Sequence, residues 1–354
     1  MQIVAIVISL GFTVVAVPLL TITVRRMLKV IRTGQPAIGR TDDPAARAVN
    51  MLKETFLHTR MLQWTWIGAL HWFAYAAFLF LSTAVAQAFF QLFDAEFAWP
   101  IIGRWFLYEW VGEVLGLLGA LAIIPLFVYR IRNHPKRLGR KSRFFGSTFW
   151  QAYFVEFMVL LESAAILFIR GAEYNLAKAH GGEHAEHATA FHFPISQLFG
   201  HLYPTGADSI GSLENIIYFI AMIKISSAML WLIVIARNIT MGIAWHRFTA
   251  WFNIFFKRES SGSTALGALK PLYIQGEPLS LEKMEDLEEE EFEKLGVGKV
   301  EDFSWKGILD FTTCTECGRC QSQCPAWNTE KPLSPKLLMM GLREHAYTKI
   351  PLLD

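Results

Sequence analysis

The side chains best suited to chemistry are four cysteines within eleven positions: Cys314-Thr-Glu-Cys317-Gly-Arg-Cys320-Gln-Ser-Gln-Cys324-Pro325. They are the only cysteines of a 354-residue chain. The spacing C-x2-C-x2-C-x3-C-P is that of bacterial ferredoxin loops, where thiolates hold a [4Fe–4S] cluster. Short gaps let successive sulfurs wrap one face of a cubane. Gly318 relieves crowding where backbone amides turn toward the sulfurs, and Pro325 redirects the chain. A zinc knuckle is the competing reading, but zinc sites usually use two C-x2-C pairs a dozen or more residues apart. In two-cluster ferredoxins the fourth cysteine of such a run serves the other cluster. Either Cys324 completes one cluster, or a second cysteine run lies beyond Asp354. The second is the expectation, with the helical stretch 336–346 interrupted soon after its end.

The elements that must position this loop are unusual for a soluble protein. The set AVILMFWYC makes up 53% of the chain, charged residues only 18%, and mean hydropathy is +0.31. Soluble domains carry about 25% charged residues, so an integral membrane protein fits better than a soluble enzyme, a disulfide scaffold or a disordered chain. Five stretches reach the ~20 apolar residues a bilayer needs: about 2–24, 62–93, 106–129, 148–170 and 214–236. The first has neither a basic leader nor a cleavage site and reads as a retained anchor.

Charge is divided along the chain. Residues 1–256 hold 21 Lys+Arg against 14 Asp+Glu, and 257–354 hold 12 against 17. The 25–60 loop carries eight basic residues, and 130–147 carries seven with no acid. Basic loops stay in the cytoplasm, which places the N-terminus outside and the cysteines inside, where disulfides are disfavoured. The opposite loops are acidic or nearly neutral, with Glu109 and Glu113 expected to be solvated and Arg170 and Glu173 counted to the 171–213 loop. Fold and domains follow: an all-α membrane protein with a five-helix bundle (1–256, N-out, C-in), an acidic linker (257–297) and a ferredoxin-type α-helical segment (298–354). Trp245, Trp251, Phe252, Phe255 and Phe256 beside Arg247 and Lys257 point to an interfacial helix after the fifth span.

The stretch 298–336, from Gly298-Lys-Val-Glu-Asp-Phe-Ser-Trp through the cysteines to Cys324-Pro-Ala-Trp-Asn328 and Lys331-Pro-Leu-Ser-Pro-Lys336, resembles bacterial membrane iron–sulfur reductases related to heterodisulfide reductase. Within them it is most similar to the electron-transfer-flavoprotein:menaquinone oxidoreductases. Leu70-His71-Trp-Phe, Ser142-Arg-Phe-Phe-Gly-Ser147 and His246-Arg-Phe-Thr-Ala-Trp-Phe-Asn-Ile-Phe-Phe256 resemble the five-helix cytochrome b (gamma) subunit of nitrate reductase. Where the family's segment commonly has proline, this chain has Phe252. The family's second cysteine run is absent from these 354 residues.

The resemblance implies a carrier chain in a bacterial plasma (inner) membrane. A cytoplasmic electron-transfer flavoprotein, fed by fatty-acid β-oxidation, would reduce one or two [4Fe–4S] clusters, then haem b, then menaquinone. No nucleic-acid partner is expected. Haem in a bundle needs axial ligands from facing helices. His71 and His58 on helix two and His246 beyond the fifth span are the candidates for one haem, with two possible. His58 is placed near the inner end of helix two and His71 near mid-membrane. Within the spans Glu156, Glu162 and Lys224 are costly unless paired or facing a cavity. Glu162 and Lys224 fall at similar depth. They are candidates for a proton relay beside a quinone, since quinone reduction consumes two protons, or for an ion pair that sets helix register. Two other readings compete. One is a heterodisulfide-reductase-like or sulfite-reduction-linked complex, the other a membrane anchor with a structural or sensory cluster. In the outer loop His180, His184 and His187 are spaced to share a helix face and bind a metal, or to stand in a solvated loop. The acidic run 282–293 reads as a solvated face or as a docking stretch for a basic partner.

Overall fold

A computed structural model describes residues 1–263, 271–274, 277–292 and 295–353. The protein is built from helices, apart from one short hairpin of Tyr273–Ile274 with Glu277–Pro278 among the described residues. Numbering helices of nine residues or more, they are α1 (Gln2–Arg32), α2 (Pro44–Phe56), α3 (Thr65–Gln91), α4 (Phe106–Arg132), α5 (Phe149–His180), α6 (Ile210–Arg237), α7 (Gly242–Phe255), α8 (Trp305–Thr313) and α9 (Pro335–Lys349). Five of these, α1 and α3–α6, are long and apolar enough to cross a membrane.

The contacts divide the chain into two compact units, one formed by 1–21, 60–138 and 148–237, the other by 22–59, 139–147 and 238–354. Residues expected in one domain over 1–256 fall in both units. The segments 22–59 and 139–147 and helix α7 group with the cysteine segment, whereas 130–138 groups with the first unit.

In the first unit α5 is the central helix. Of its most apolar window 56% is buried, against 17% for α1. Ile166, Leu167 and Ile169 of α5 pack with Ala77, Leu81 and Ala84 of α3 and with Leu213, Ile217 and Ile225 of α6. Close approach of α4 depends on missing side chains. A Cβ on Gly119 would lie 2.6 Å from the Ala77 Cβ and 2.8 Å from the Ser163 hydroxyl, and one on Gly116 would lie 2.4 Å from an Ile166 methyl. Small residues in register let apolar helices pack closely where no hydrophobic drive separates protein from lipid.

Several expected boundaries move. α1 continues through Arg25 and Arg26 to Arg32, and α5 continues through Arg170 and Glu173 to His180. Hydropathy stops at the first charge, but a helix does not when that charge is paired. Arg170 Nε donates to Glu113 (2.7 Å), and its NH1 lies 3.7 Å from Glu173. Glu109 and Glu113, expected in solvent, are 3% and 0% exposed. Glu113 also accepts from the Ile195 and Ser196 amides (2.7 and 2.9 Å) and the Ser196 hydroxyl. His58 is not on helix two. α2 ends at Phe56, and His58 sits in the turn before α3 with φ 49°, a left-handed conformation in which histidine is several-fold enriched among non-glycine residues. His71 lies six residues into α3, about 9 Å from its start, nearer the helix end than the apolar count placed it. The break after the fifth span is real: α6 ends at Arg237 and α7 begins at Gly242, with Phe252 inside α7.

Gly119→Val should destabilise the detergent-solubilised protein by about 1–3 kcal/mol through overpacking. Gly11→Ala, whose new Cβ meets nothing within 4 Å, should be nearly neutral; thermal unfolding of the two variants side by side measures the difference.

Candidate functional site

The cysteine loop begins where α8 ends. Ser304 caps α8 by accepting from the Gly307 amide (3.2 Å), and Cys314 is its C-cap. The next residues turn sharply: Glu316 has φ 58° and Gly318 φ 73°. Only glycine fits at 318, because a Cβ there would lie 1.8 Å from the Arg143 carbonyl oxygen. The turn directs the Glu316 amide to the Cys314 sulfur and the Gln321 amide to the Cys320 sulfur. Such amides favour thiolate over thiol. All four thiols are free, with Cys317 and Cys320 exposed and Cys314 and Cys324 half-buried. Cys324 ends the short helix Arg319–Gln323 and precedes Pro325, which opens another.

Around this loop stands a set of cations. Arg143 Nε donates to the Cys317 carbonyl (2.7 Å). Arg343, 2% exposed, donates to the Cys314 carbonyl (3.0 Å) and pairs with Glu316 (2.7 Å). Lys336, 1% exposed, donates to the Ser147 hydroxyl (2.8 Å) and the Arg143 carbonyl (3.3 Å). Ser147 in turn donates to the Glu316 carbonyl (3.0 Å). Burial pushes the Lys336 ammonium down to about 8, against the pull of Glu316, Cys314, Cys317 and Cys320. Burial also pushes the Cys314 and Cys320 thiols up, opposed by the amides facing them. Arg140 lies 3.6 Å over the Trp327 ring and donates to the Lys331 carbonyl, while Trp327 Nε1 donates to the Arg140 carbonyl (3.2 Å). Gln321, fully buried, bridges the Ser142 carbonyl (3.3 Å) and the Ser334 hydroxyl (2.6 Å). The donor set therefore fits an iron–sulfur cluster: clustered thiols, amides aimed at sulfur, and cations to balance the charge that deprotonated thiols bring.

The sequence alone does not mark these cations as site residues. By pattern Arg140 and Arg143 read as topology charges, and Lys336 as part of a Lys-Pro-Leu-Ser-Pro-Lys run. Lysine and arginine at loop positions carry no signal of their own that they fold onto a cysteine loop.

The histidine candidates fall in different units. His71 belongs to the first, and His58 and His246 to the second. His58 is 7% exposed, and its Nδ1 lies 2.7 Å from the Thr55 carbonyl. Burial lowers its pKa, against the Thr55 carbonyl, which raises it. His246 Nδ1 lies 3.3 Å from the Gly242 carbonyl, one turn back. An Nδ1–H held by a backbone carbonyl is the usual orientation of a metal-ligating histidine. Gly242 itself touches the cysteine loop, since a Cβ there would lie 1.9 Å from the Cys314 carbonyl oxygen.

The in-span charges are all engaged. Glu156 accepts from Arg130 Nε (2.7 Å), and Glu162 accepts from the Ser227 hydroxyl (2.6 Å). The charge of Lys224, 1% exposed, acts on Glu162 and Glu173. The second carboxylate oxygens of Glu156 and Glu162 are buried with no hydrogen-bond partner.

The class these features define is an all-α membrane protein carrying a caged cysteine loop. Three known proteins are similar to it. The chain is 26% identical over 333 residues to the EtfAB:quinone oxidoreductase of Syntrophomonas wolfei, a match covering 93% of this chain and 42% of that protein. It is 41% identical over 98 residues to a probable iron-sulfur-binding oxidoreductase of Bacillus subtilis, covering 27% of this chain and 11% of that one. Over 48 residues it is 46% identical to a probable membrane-anchored ferredoxin of Chromohalobacter salexigens, 14% of this chain and 7% of that one. The chain thus spans less than half the length of each relative. No family model and no solved structure matches it. The likeness to membrane iron–sulfur reductases read from residues 298–336 stands.

Lys336→Met should lower the midpoint potential of a cluster bound here. A unit charge about 4–8 Å away is worth about 2–4 kcal/mol at an effective dielectric of about 20, or on the order of 100–200 mV for one electron. Redox titration followed by electron paramagnetic resonance reads the shift, and an unchanged potential would exclude Lys336 as a tuning charge.

Proposed function

We propose that this chain is the membrane-embedded part of an iron–sulfur oxidoreductase that transfers electrons from a cytoplasmic donor to a quinone. The donor in this reading is a reduced electron-transfer flavoprotein from β-oxidation, and the quinone is menaquinone. The observation that carries it is the course of α7: Gly242 abuts the Cys314 carbonyl, and His246 follows one turn later, about 6 Å of helix rise on. A cysteine loop and a candidate haem ligand are thereby held by one rigid element, as short-range electron transfer requires. The similarity to a quinone oxidoreductase along 93% of the chain supports the same reading.

In the proposed arrangement Cys314, Cys317, Cys320 and Cys324 ligate [4Fe–4S] iron, with Cys324 serving either the same cluster or a second one. His71, His246 and His58 are the candidate axial ligands for haem b. Bound there, these groups supply one-electron carriers between a two-electron donor and a two-electron acceptor. The protein's own part is to hold them and to move protons. Arg143, Lys336 and Arg343 offset thiolate charge. Glu162, with one buried oxygen lacking a partner, and Lys224 are placed to pass protons to a reduced quinone. Glu156, held by Arg130, is a further acid on the same helix. The excess of basic residues at 25–60 and 130–147 supports a cytoplasmic cysteine unit and an N-terminus outside, in a plasma membrane.

The purified protein should show the Soret and split α/β bands of b-type haem, and its iron should exceed its haem. Replacing His71 or His246 with Ala should remove most haem absorbance and leave cluster iron in place; wild-type haem content in both would refute the ligand assignment. Stoichiometric zinc with iron near zero would refute the cluster. Glu162→Gln should slow menaquinone reduction about 10-fold or more, with reduction of cluster and haem by dithionite unchanged.

A further inference from the structure

Apart from the redox groups, the first unit gathers carboxylates on α4 and α5. Among the described residues, Glu109, Glu113 and Glu173 share the single guanidinium of Arg170, at 3.6, 2.7 and 3.7 Å. Acidic groups held in an apolar bundle are costly unless positive charge or donors meet them. One of them, Glu109, is met mainly by histidines. Its carboxylate is 2% exposed and faces two imidazoles, with Oε1 2.9 Å from His187 Nε2 and Oε2 2.6 Å from His192 Nδ1. The two rings lie 3.7 Å apart between centroids.

We propose that Glu109, His187 and His192 form a binding site for a divalent transition-metal ion of the zinc class. The donor set is two imidazole nitrogens and one carboxylate oxygen, all within 4.8 Å of one another. Two histidines and a glutamate are an established zinc set that leaves a fourth position open. A cavity of about 70 Å³ lined by Glu109, His187, Arg170 and Glu173 adjoins these donors, large enough for a water ligand. A divalent ion would also bring positive charge to a buried carboxylate.

Arg170 does not occupy the site. Its Nε is taken by Glu113 (2.7 Å) and its NH2 by the His192 carbonyl (2.8 Å), and it stands 3.6 Å from Glu109, beyond hydrogen-bond reach. It acts instead on the loop, fixing His192 from behind, as outer-shell groups orient metal ligands. Trp110 Nε1 fixes the same loop by donating to the Phe191 carbonyl (2.6 Å). The imidazole trio suggested by sequence spacing is thereby split. His180 and His184 turn to Glu96 (3.0 and 3.3 Å), with side chains 29–41% exposed. That second group has the same chemistry without the burial, and serves as an internal control.

The test uses the full chain in detergent, treated with a chelator and then dialysed against micromolar zinc, with zinc and iron counted in the same samples. One zinc per chain is expected, and X-ray absorption at the zinc edge should show nitrogen and oxygen neighbours at about 2.0–2.1 Å, imidazole scattering among them, and no sulfur. His187→Asn/His192→Asn should weaken binding more than about 100-fold, and His180→Asn/His184→Asn should leave it unchanged. No zinc uptake at micromolar concentration would overturn the proposal and leave Glu109 hydrogen-bonded to the two imidazoles alone. Sulfur scattering would overturn it by placing the metal on the cysteines, and full binding by the His187/His192 variant would place it elsewhere. Should that variant fail to fold, the X-ray absorption of the unmutated chain decides alone.

Discussion

The structure depends on one constraint: an ionised side chain removed from water must be met by an opposite charge or by aimed dipoles. Each unit is organised around its solution. In the first, Arg170 reaches Glu113, approaches Glu109 and Glu173, and holds the His192 carbonyl, joining α4, α5 and the loop that follows. In the second, Arg47, 2% exposed, gathers the carbonyls of Gly39, Phe255 and Lys257, and Arg343 does the same for Cys314 while pairing with Glu316. Remove any of these guanidinium groups and several backbone segments lose their common anchor at once.

The same constraint connects architecture to chemistry. A cysteine loop that is to carry thiolates needs positive charge, and the chain brings it from three separate places: Arg143 from the loop after α4, and Lys336 and Arg343 from positions about two turns apart on α9. Amides supply the rest. The left-handed residues Glu316 and Gly318 turn N–H groups inward, and the glycine permits the Arg143 carbonyl to approach. The loop's carbonyls at Cys314, Glu316 and Cys317 are thus held by Arg343, Ser147 and Arg143. Basic residues that would serve topology by charge alone thus also serve the site, so their number overstates how many are free to act on the membrane.

Much of this was legible in the sequence. The cysteine spacing, five apolar stretches and the break between α6 and α7 are local features, and periodicity, length and composition report them directly. The errors fall where a local rule met a distant partner. Arg170 and Glu173 read as loop residues because charge ends an apolar run, yet Glu113 lets the helix continue to His180. Glu109 and Glu113 read as solvated because they stand near a span end, yet the loop 188–196 folds over them. His58 read as helical because its neighbours are, yet the chain turns there through a left-handed residue.

The sequence by itself determined what is encoded by near neighbours: which segments are apolar enough to span a bilayer, and that four thiols share one loop of ferredoxin spacing. Only the tertiary structure decided which charges are buried and with whom. Those pairings join residues distant in the chain: Arg130 and Glu156 are 26 positions apart, Arg170 and Glu113 are 57, and the Lys336 ammonium and the Arg143 carbonyl are 193. The reason is physical: a charge has no intrinsic cost until burial removes its water, and burial is a property of the whole fold.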